Sequence, residues 1–210
     1  MPSWEKIFKD QGYFFLDPHP DIARLAELFK NHGVKRILDL GCGTGRHLVY
    51  LSKLGFQMEG FDSSPHALAL SQEWLNEEGL TAAIREHQME FPFPYPDMSF
   101  DALISVQVIH HNLFKDILFT ISEIERVLRP RGFIFITVPV LGPKPVNPEE
   151  DWQLHQVEDG TYIPQSGAES GIPHHYFTET ELCDVFNGFE RLEIYIDSTD
   201  HRCLLGVKRE

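Results

Sequence analysis

The sequence predicts one α/β domain: a seven-stranded, mostly parallel sheet with an antiparallel last strand and helices on both faces. Three observations carry this. Short apolar, strand-like runs alternate with segments of helical period through most of the chain. A glycine-rich turn, GCGTG at 41–45, joins the first such run directly to a helix. The chain closes on two strand-like runs joined by a short polar turn, a hairpin that would put an antiparallel edge on the sheet. A length of 210 residues fills one core well and two poorly, so 1–210 reads as a single domain.

The elements follow in order. Residues 21–31 repeat Ile22, Leu25, Ala26 and Phe29 on one helical face and stop at Gly33. A buried strand at 36–40 enters the glycine turn, and a helix runs on to about Leu54, closed by Gly55. The second strand is 56–62. Ser64 and Pro65 then supply an N-cap and a first-turn proline for a helix reaching Gly79. Strands are predicted at 82–87, 100–106 and 132–138, with an amphipathic helix at 114–128 between the last two. The stretch 139–175 breaks the rhythm. It is rich in proline, glycine and acids and too long for an ordinary connection, which marks it as a lid or specificity insertion. Thr178 and Glu181 form a capping box for one more helix, and strands near 192–196 and 202–207 flank the turn 197–201. Residues 1–32 form an N-terminal helical or lid segment whose Trp4, Tyr13, Phe14 and Phe15 pack on the core or cover a ligand.

Composition narrows the partners. There are 32 acidic against 18 basic residues, a formal charge of -14, so the protein's field repels a phosphate backbone and argues against nucleic-acid binding by the chain alone. The N-terminal residues lack the apolar core of a signal peptide, and no apolar run is long enough to span a bilayer. Three cysteines without a CxxC pair offer no disulfide framework, which together with these points predicts a cytoplasmic protein with no membrane partner.

Chemistry concentrates at the ends of the predicted strands. In RILDLGCGTGRHL, Gly41, Gly43 and Gly45 let the backbone turn tightly and a ligand approach closely. A dinucleotide fingerprint would place its third glycine at 46, where this chain has arginine, which disfavours a nicotinamide cofactor. Asp39, two residues before the turn, suits a ligand carrying positive charge. Asp62 ends the next strand about twenty residues on, where a carboxylate accepts both hydroxyls of a ribose.

RILDLGCGTGRH, GFDSS, FPYPDMSFDALIS and ERVLRPRGFIFITVP stand in the order and spacing of the class I S-adenosylmethionine-dependent methyltransferases, and the chain most resembles their type 11, small-molecule subgroup. The resemblance covers roughly residues 30–140. It implies a Rossmann-like fold, S-adenosylmethionine as cofactor and methyl transfer to an oxygen or nitrogen of a small-molecule acceptor. Carried over position by position, Gly41 and Gly43 face the methionine part with Asp39 nearby, and Asp62 with Ser63 holds the ribose. Gln88 and Met89 border the adenine, and Val106 and Gln107 contact the amino-acid moiety or floor the site. The family commonly has aspartate where this chain has Gln88, whose carbonyl can still accept from the adenine amino group.

Two histidine pairs remain. His110 and His111 follow the fourth strand, at the edge where ligands bind, and either could take a proton from the acceptor as it attacks the methyl group or simply shape the pocket. His174 and His175 lie in GIPHHYF. Adjacent side chains on extended backbone diverge, and no carboxylate or cysteine stands at a ligand spacing, so no metal is expected. SVQVIHHN with ERVLRPRG also resembles enzymes that methylate the tRNA wobble uridine, but the arginines expected after the histidines are replaced by FKDILF. A non-catalytic cofactor-binding subunit is the remaining alternative, against which stand the intact glycine turn and ribose acid.

Overall fold

The computed structural model describes residues 4–13, 15–142 and 152–210. Phe14, and residues 143–151 of the predicted lid with Glu149, Glu150 and Asp151, lie outside the described residues. The elements are α1 (Trp4–Gln11), α2 (Ile22–Asn31), β1 (Arg36–Leu40), α3 (Arg46–Lys53), β2 (Gln57–Asp62), α4 (Pro65–Glu77), β3 (Ala83–Glu86) and β4 (Phe100–Val106). Then follow α5 (Phe114–Val127), β5 (Leu128–Pro139), β6 (His155–Glu158), β7 (Thr161–Ile163), β8 (His174–His175), α6 (Glu179–Val185), β9 (Phe189–Ile196) and β10 (His201–Lys208).

Seven strands form the main sheet in the order β3-β2-β1-β4-β5-β10-β9. The first five are parallel to one another, and β10 runs antiparallel to both β5 and β9. The last strand is therefore antiparallel as the sequence predicts, but it lies between β5 and β9, with β9 at the edge. Its residues explain this. Cys203, Leu205 and Val207 pack into one core layer and Leu204 into the other, whereas β9 is mostly exposed. A strand apolar on both faces belongs inside a sheet.

The same alternation splits the core in two. Ile37, Ala102, Ile104, Phe133 and Phe135 face α2 and α3, with Leu68 of α4. Leu38, Leu40, Leu103, Ile134 and Ile136 face α5 and α6. The expected caps are in place: Ser64 Oγ accepts from Ala67 N at 3.1 Å, and Thr178 Oγ1 accepts from Glu181 N at 3.1 Å.

The insertion is only partly irregular. β6, β7 and β8 form a small antiparallel sheet. It is tied to the start of α5 by Glu158 Oε1, which accepts from Phe114 N at 2.6 Å, and by His175 N, which donates to His110 O at 2.9 Å. Among the described residues no helix is long and apolar enough to cross a membrane.

Candidate active site

The strand order reverses between β1 and β4, the two strands that flank the crevice where ligands bind in such sheets. The turn after β1 and the segment after β4 touch there. Gly41 has φ 72°, and a Cβ on it would lie 2.4 Å from Val108 Cγ1, so only glycine lets these two strand ends meet. Gly45 opens α3 at φ 90°, where a Cβ would strike Ser71 Oγ at 2.3 Å and push α3 off α4.

Above the crevice lies a cavity of about 590 Å³. Gly41, Gly43, Asp62, Ser63, Gln88 and Met89 line it on one side. Val106, Gln107, His110 and His111 line it on the other. The four strand ends that the sequence singled out thus converge on one space. Asp62 is 8% exposed; its Oδ2 accepts from Gly43 N and its Oδ1 from Ser64 N, each at 2.9 Å. These bonds lock the glycine turn to the end of β2. A carboxylate offers about four lone-pair positions, so two remain for a ribose diol. Burial pushes the Asp62 carboxyl up, while the N–H groups of Ser64, Gly43 and Ser63 pull it back.

Asp39 is not on the cavity wall. It shares the face of β1 that carries Ile37, beneath the first turn of α3, and is 1% exposed. Its Oδ2 has no hydrogen-bond partner, and the nearest cation-forming group is His47 Nδ1 at 3.8 Å. Burial raises this carboxyl to about 7, with Arg46 opposing and Asp62 adding to the rise. Cys42 is buried against Gly60, whose Cβ would lie 3.0 Å from that of Cys42, and its thiol is pushed well up by burial. It is a packing residue, not a nucleophile. Gln107 holds φ 60°, with its N–H donating to Thr137 O at 3.1 Å and Oγ1 at 2.9 Å, a strained backbone placed where a ligand would lie.

Several wall residues carry no sequence motif. Trp4, Phe8 and Phe15 cover the cavity from the N-terminal segment. Tyr13 turns away to pack on Trp74. α1 is held over the site by Glu5, whose Oε2 accepts from Ser64 Oγ at 2.6 Å and His66 N at 3.0 Å. These bonds and the contact with Lys9, the largest influence, hold the Glu5 carboxyl down at about 2. The insertion contributes Trp152, Glu169 and His174, with Tyr176 just beyond it, and the β9–β10 turn contributes Thr199 and Asp200, with His201 opening β10. The aromatic N-terminus and the overlong insertion were the only sequence signals for these walls.

The histidines are arranged differently from the sequence expectation. Residues 109–112 form a turn, not a strand, and His111 N donates to Val108 O at 3.0 Å. The His110 and His111 rings therefore lie together, centroids 3.8 Å apart, and both meet the His174 ring. Burial, aided by the neighbouring imidazoles, holds His110 and His111 well below the usual histidine range, so both are neutral.

A parallel sheet with this order, a glycine turn at its switch point and a carboxylate ending the next strand defines the class of Rossmann-like domains. Within it, the family model described as a methyltransferase domain matches residues 38–136. YodH, a methyltransferase of Bacillus subtilis (strain 168), is 31% identical over 118 residues, covering 56% of this chain and 48% of its own. The 27-O-demethylrifamycin SV methyltransferase of Amycolatopsis mediterranei (strain S699) is 28% identical over 136 residues, 61% of this chain and 47% of its own. These alignments span about half the length of either relative. The crystal structure of an S-adenosylmethionine-dependent methyltransferase from Methanosarcina mazei shares the fold at a TM-score of 0.70 with 21% identity, covering 92% of this chain and 99% of that one. Residues 38–136 thus match a methyltransferase domain, and the chain is similar in sequence to methyltransferases and, over most of its length, shares the fold of an S-adenosylmethionine-dependent one.

The residues present fit the cofactor of that family. Cβ-free backbone at 41 and 43 admits its methionine part, and the open lone pairs of Asp62 suit its ribose. The buried Asp39, whose Oδ2 has no hydrogen-bond partner, would offer an acidic group beneath its cationic part.

Proposed function

We propose that the protein transfers the methyl group of S-adenosylmethionine to an oxygen or nitrogen of a small-molecule acceptor, releasing S-adenosylhomocysteine. One observation carries this reading: a single cavity joins the cofactor-type strand ends to a second wall of imidazoles and aromatic rings, under a cover from α1 and the insertion. Its volume of about 590 Å³ is that of a small-molecule site. Asp62 and Ser63 hold the ribose, Gln88 and Met89 border the adenine, and Gly41, Gly43, Val106 and Gln107 surround the methionine moiety. His110 and His111 act on the acceptor, not on the cofactor. An aligned sulfonium transfers its methyl group largely through proximity and desolvation, which an enclosed cavity provides. The relative that methylates a demethylrifamycin points the same way.

A tRNA acceptor is disfavoured by charge. The cavity wall carries Glu90, Glu169 and Asp200, on a chain with 14 more acids than bases (32 against 18). The deciding assay supplies radiolabelled S-adenosylmethionine with either fractionated metabolite extracts or undermodified bulk tRNA at low salt, where electrostatic binding is strongest. Label should enter a low-molecular-weight product. Label in tRNA with purified protein alone would overturn the assignment.

A further inference from the structure

We infer that His110, His111 and His174 form a binding site for one divalent transition-metal ion, of the class that zinc and iron(II) represent, in the acceptor half of the cavity. One ring nitrogen from each residue lies within 4.8 Å of the other two. Three features of the cluster favour a cation over simple packing.

The first is unused bonding capacity. His110 is 3% exposed, and neither its Nδ1 nor the Nδ1 of His111 has a hydrogen-bond partner. Buried imidazole nitrogens are rarely left so, and two unpartnered ones on rings that both meet a third imidazole offer lone pairs to an acceptor of electrons. The second is the orientation of His174. Its Nδ1 lies 2.8 Å from Ile172 O and donates to it, which fixes the tautomer and turns the Nε2 lone pair toward a ligand, as outer partners of metal-bound histidines do. Glu169 Oε2 lies 2.5 Å from that Nε2 and would move aside to admit an ion.

The third feature is the support. His174 sits on β8, which is tied to the 109–111 turn by the bond from His175 N to His110 O and to β7 by Thr161 Oγ1, 2.7 Å from His175 Nδ1. Two segments more than sixty residues apart are stitched together beside the histidines they carry. Imidazole ligands select zinc-class and iron-class ions over magnesium or calcium, which take oxygen ligands. Three protein ligands leave a position open.

The role of that position rests on the methyl-transfer reading above; the site itself does not. An acceptor hydroxyl binding there would lose its proton to the Glu169 carboxylate, freed from His174. The resulting oxygen anion forms its bond to the methyl carbon as the sulfur–methyl bond breaks, its electron pair staying on sulfur.

The test uses untagged full-length protein, stripped with a chelator and titrated with Co²⁺ as an optical probe. We expect one Co²⁺ per chain with visible ligand-field bands, displaced by Zn²⁺. His110→Ala or His174→Ala should weaken uptake by more than the about 10–100-fold that loss of an outer partner causes. Calorimetry with S-adenosylhomocysteine on the same samples reports folding and tests the function separately. Wild-type protein that binds S-adenosylhomocysteine but takes up no Co²⁺ overturns the metal site and leaves the methyltransferase reading standing. Uptake of Co²⁺ without S-adenosylhomocysteine binding does the reverse. Equal uptake by a folded His110→Ala/His174→Ala double variant also overturns the site.

Discussion

Replacing Asp62 by alanine should separate two jobs of one carboxylate. Its oxygens accept from Gly43 N and Ser64 N, each at 2.9 Å, and keep two lone-pair positions free for the cofactor ribose. Loss of two charge-assisted bonds to the diol costs about 2–4 kcal/mol of binding. That corresponds to a Kd for S-adenosylhomocysteine raised about 30- to 900-fold. The two stranded backbone N–H groups should independently lower stability by about 2–5 kcal/mol. Asp62→Asn keeps one oxygen and turns donors toward the other N–H, so it should fall between alanine and wild type on both scales. Calorimetry gives the first quantity and urea unfolding the second. A folded Asp62→Ala protein that binds S-adenosylhomocysteine as tightly as wild type would refute the assignment of this residue to the ribose.

Two further outcomes are expected. The Asp39 carboxyl is raised from 3.8 to about 7, so the ligand-free fold favours its protonated form. This contribution is fully present below the unfolded pKa and is lost as pH rises through about 7, at most about 4 kcal/mol over the whole window. Urea unfolding of ligand-free protein between pH 5 and 8 should show this decline and Asp39→Asn should flatten it; identical profiles would exclude Asp39 as its source. The cover over the cavity should tighten on binding, with α1 and residues 152–175 gaining hydrogen-exchange protection when S-adenosylhomocysteine is added. Glu5→Ala, which releases α1 from Ser64 and His66, should abolish the gain in α1 alone, and equal exchange with and without ligand would count against a closing cover.

The parallel core was legible because its central strands are buried on both faces and read as largely apolar runs between helices. LISV before Gln107 and FIFITV before Pro139 are such runs. The place of the terminal hairpin was less so. A hairpin's turn pairs its strands with each other but does not say which one docks on the sheet. The side chains do: CLLGV in β10 can be buried from both sides, and FERLEIYI in β9 cannot. The small sheet of the insertion had no such signal. Its strands of four, three and two residues are too short for a pattern, and they persist through contacts with α5 and the 109–111 turn.

The two halves of the site differ for a related reason. The cofactor side is assembled from the ends of consecutive parallel strands, so each residue follows its strand in the sequence at a predictable offset, as Gly41, Asp62, Gln88 and Val106 do. Only Asp39 escapes that rule, because it lies within β1 and the strand's alternation turns it under α3, away from the cavity wall. The opposite wall joins the 109–111 turn to Trp152, Glu169, His174 and residues 199–201, segments that chain order does not connect. The divergence of neighbouring side chains holds for extended backbone. At 109–111 the chain has left β4 and begun to turn toward α5, and the same dipeptide that would diverge on a strand presents both rings to one side. A histidine pair directly after a parallel strand is therefore better weighed as a turn at the ligand edge, where the backbone must change direction before the next helix.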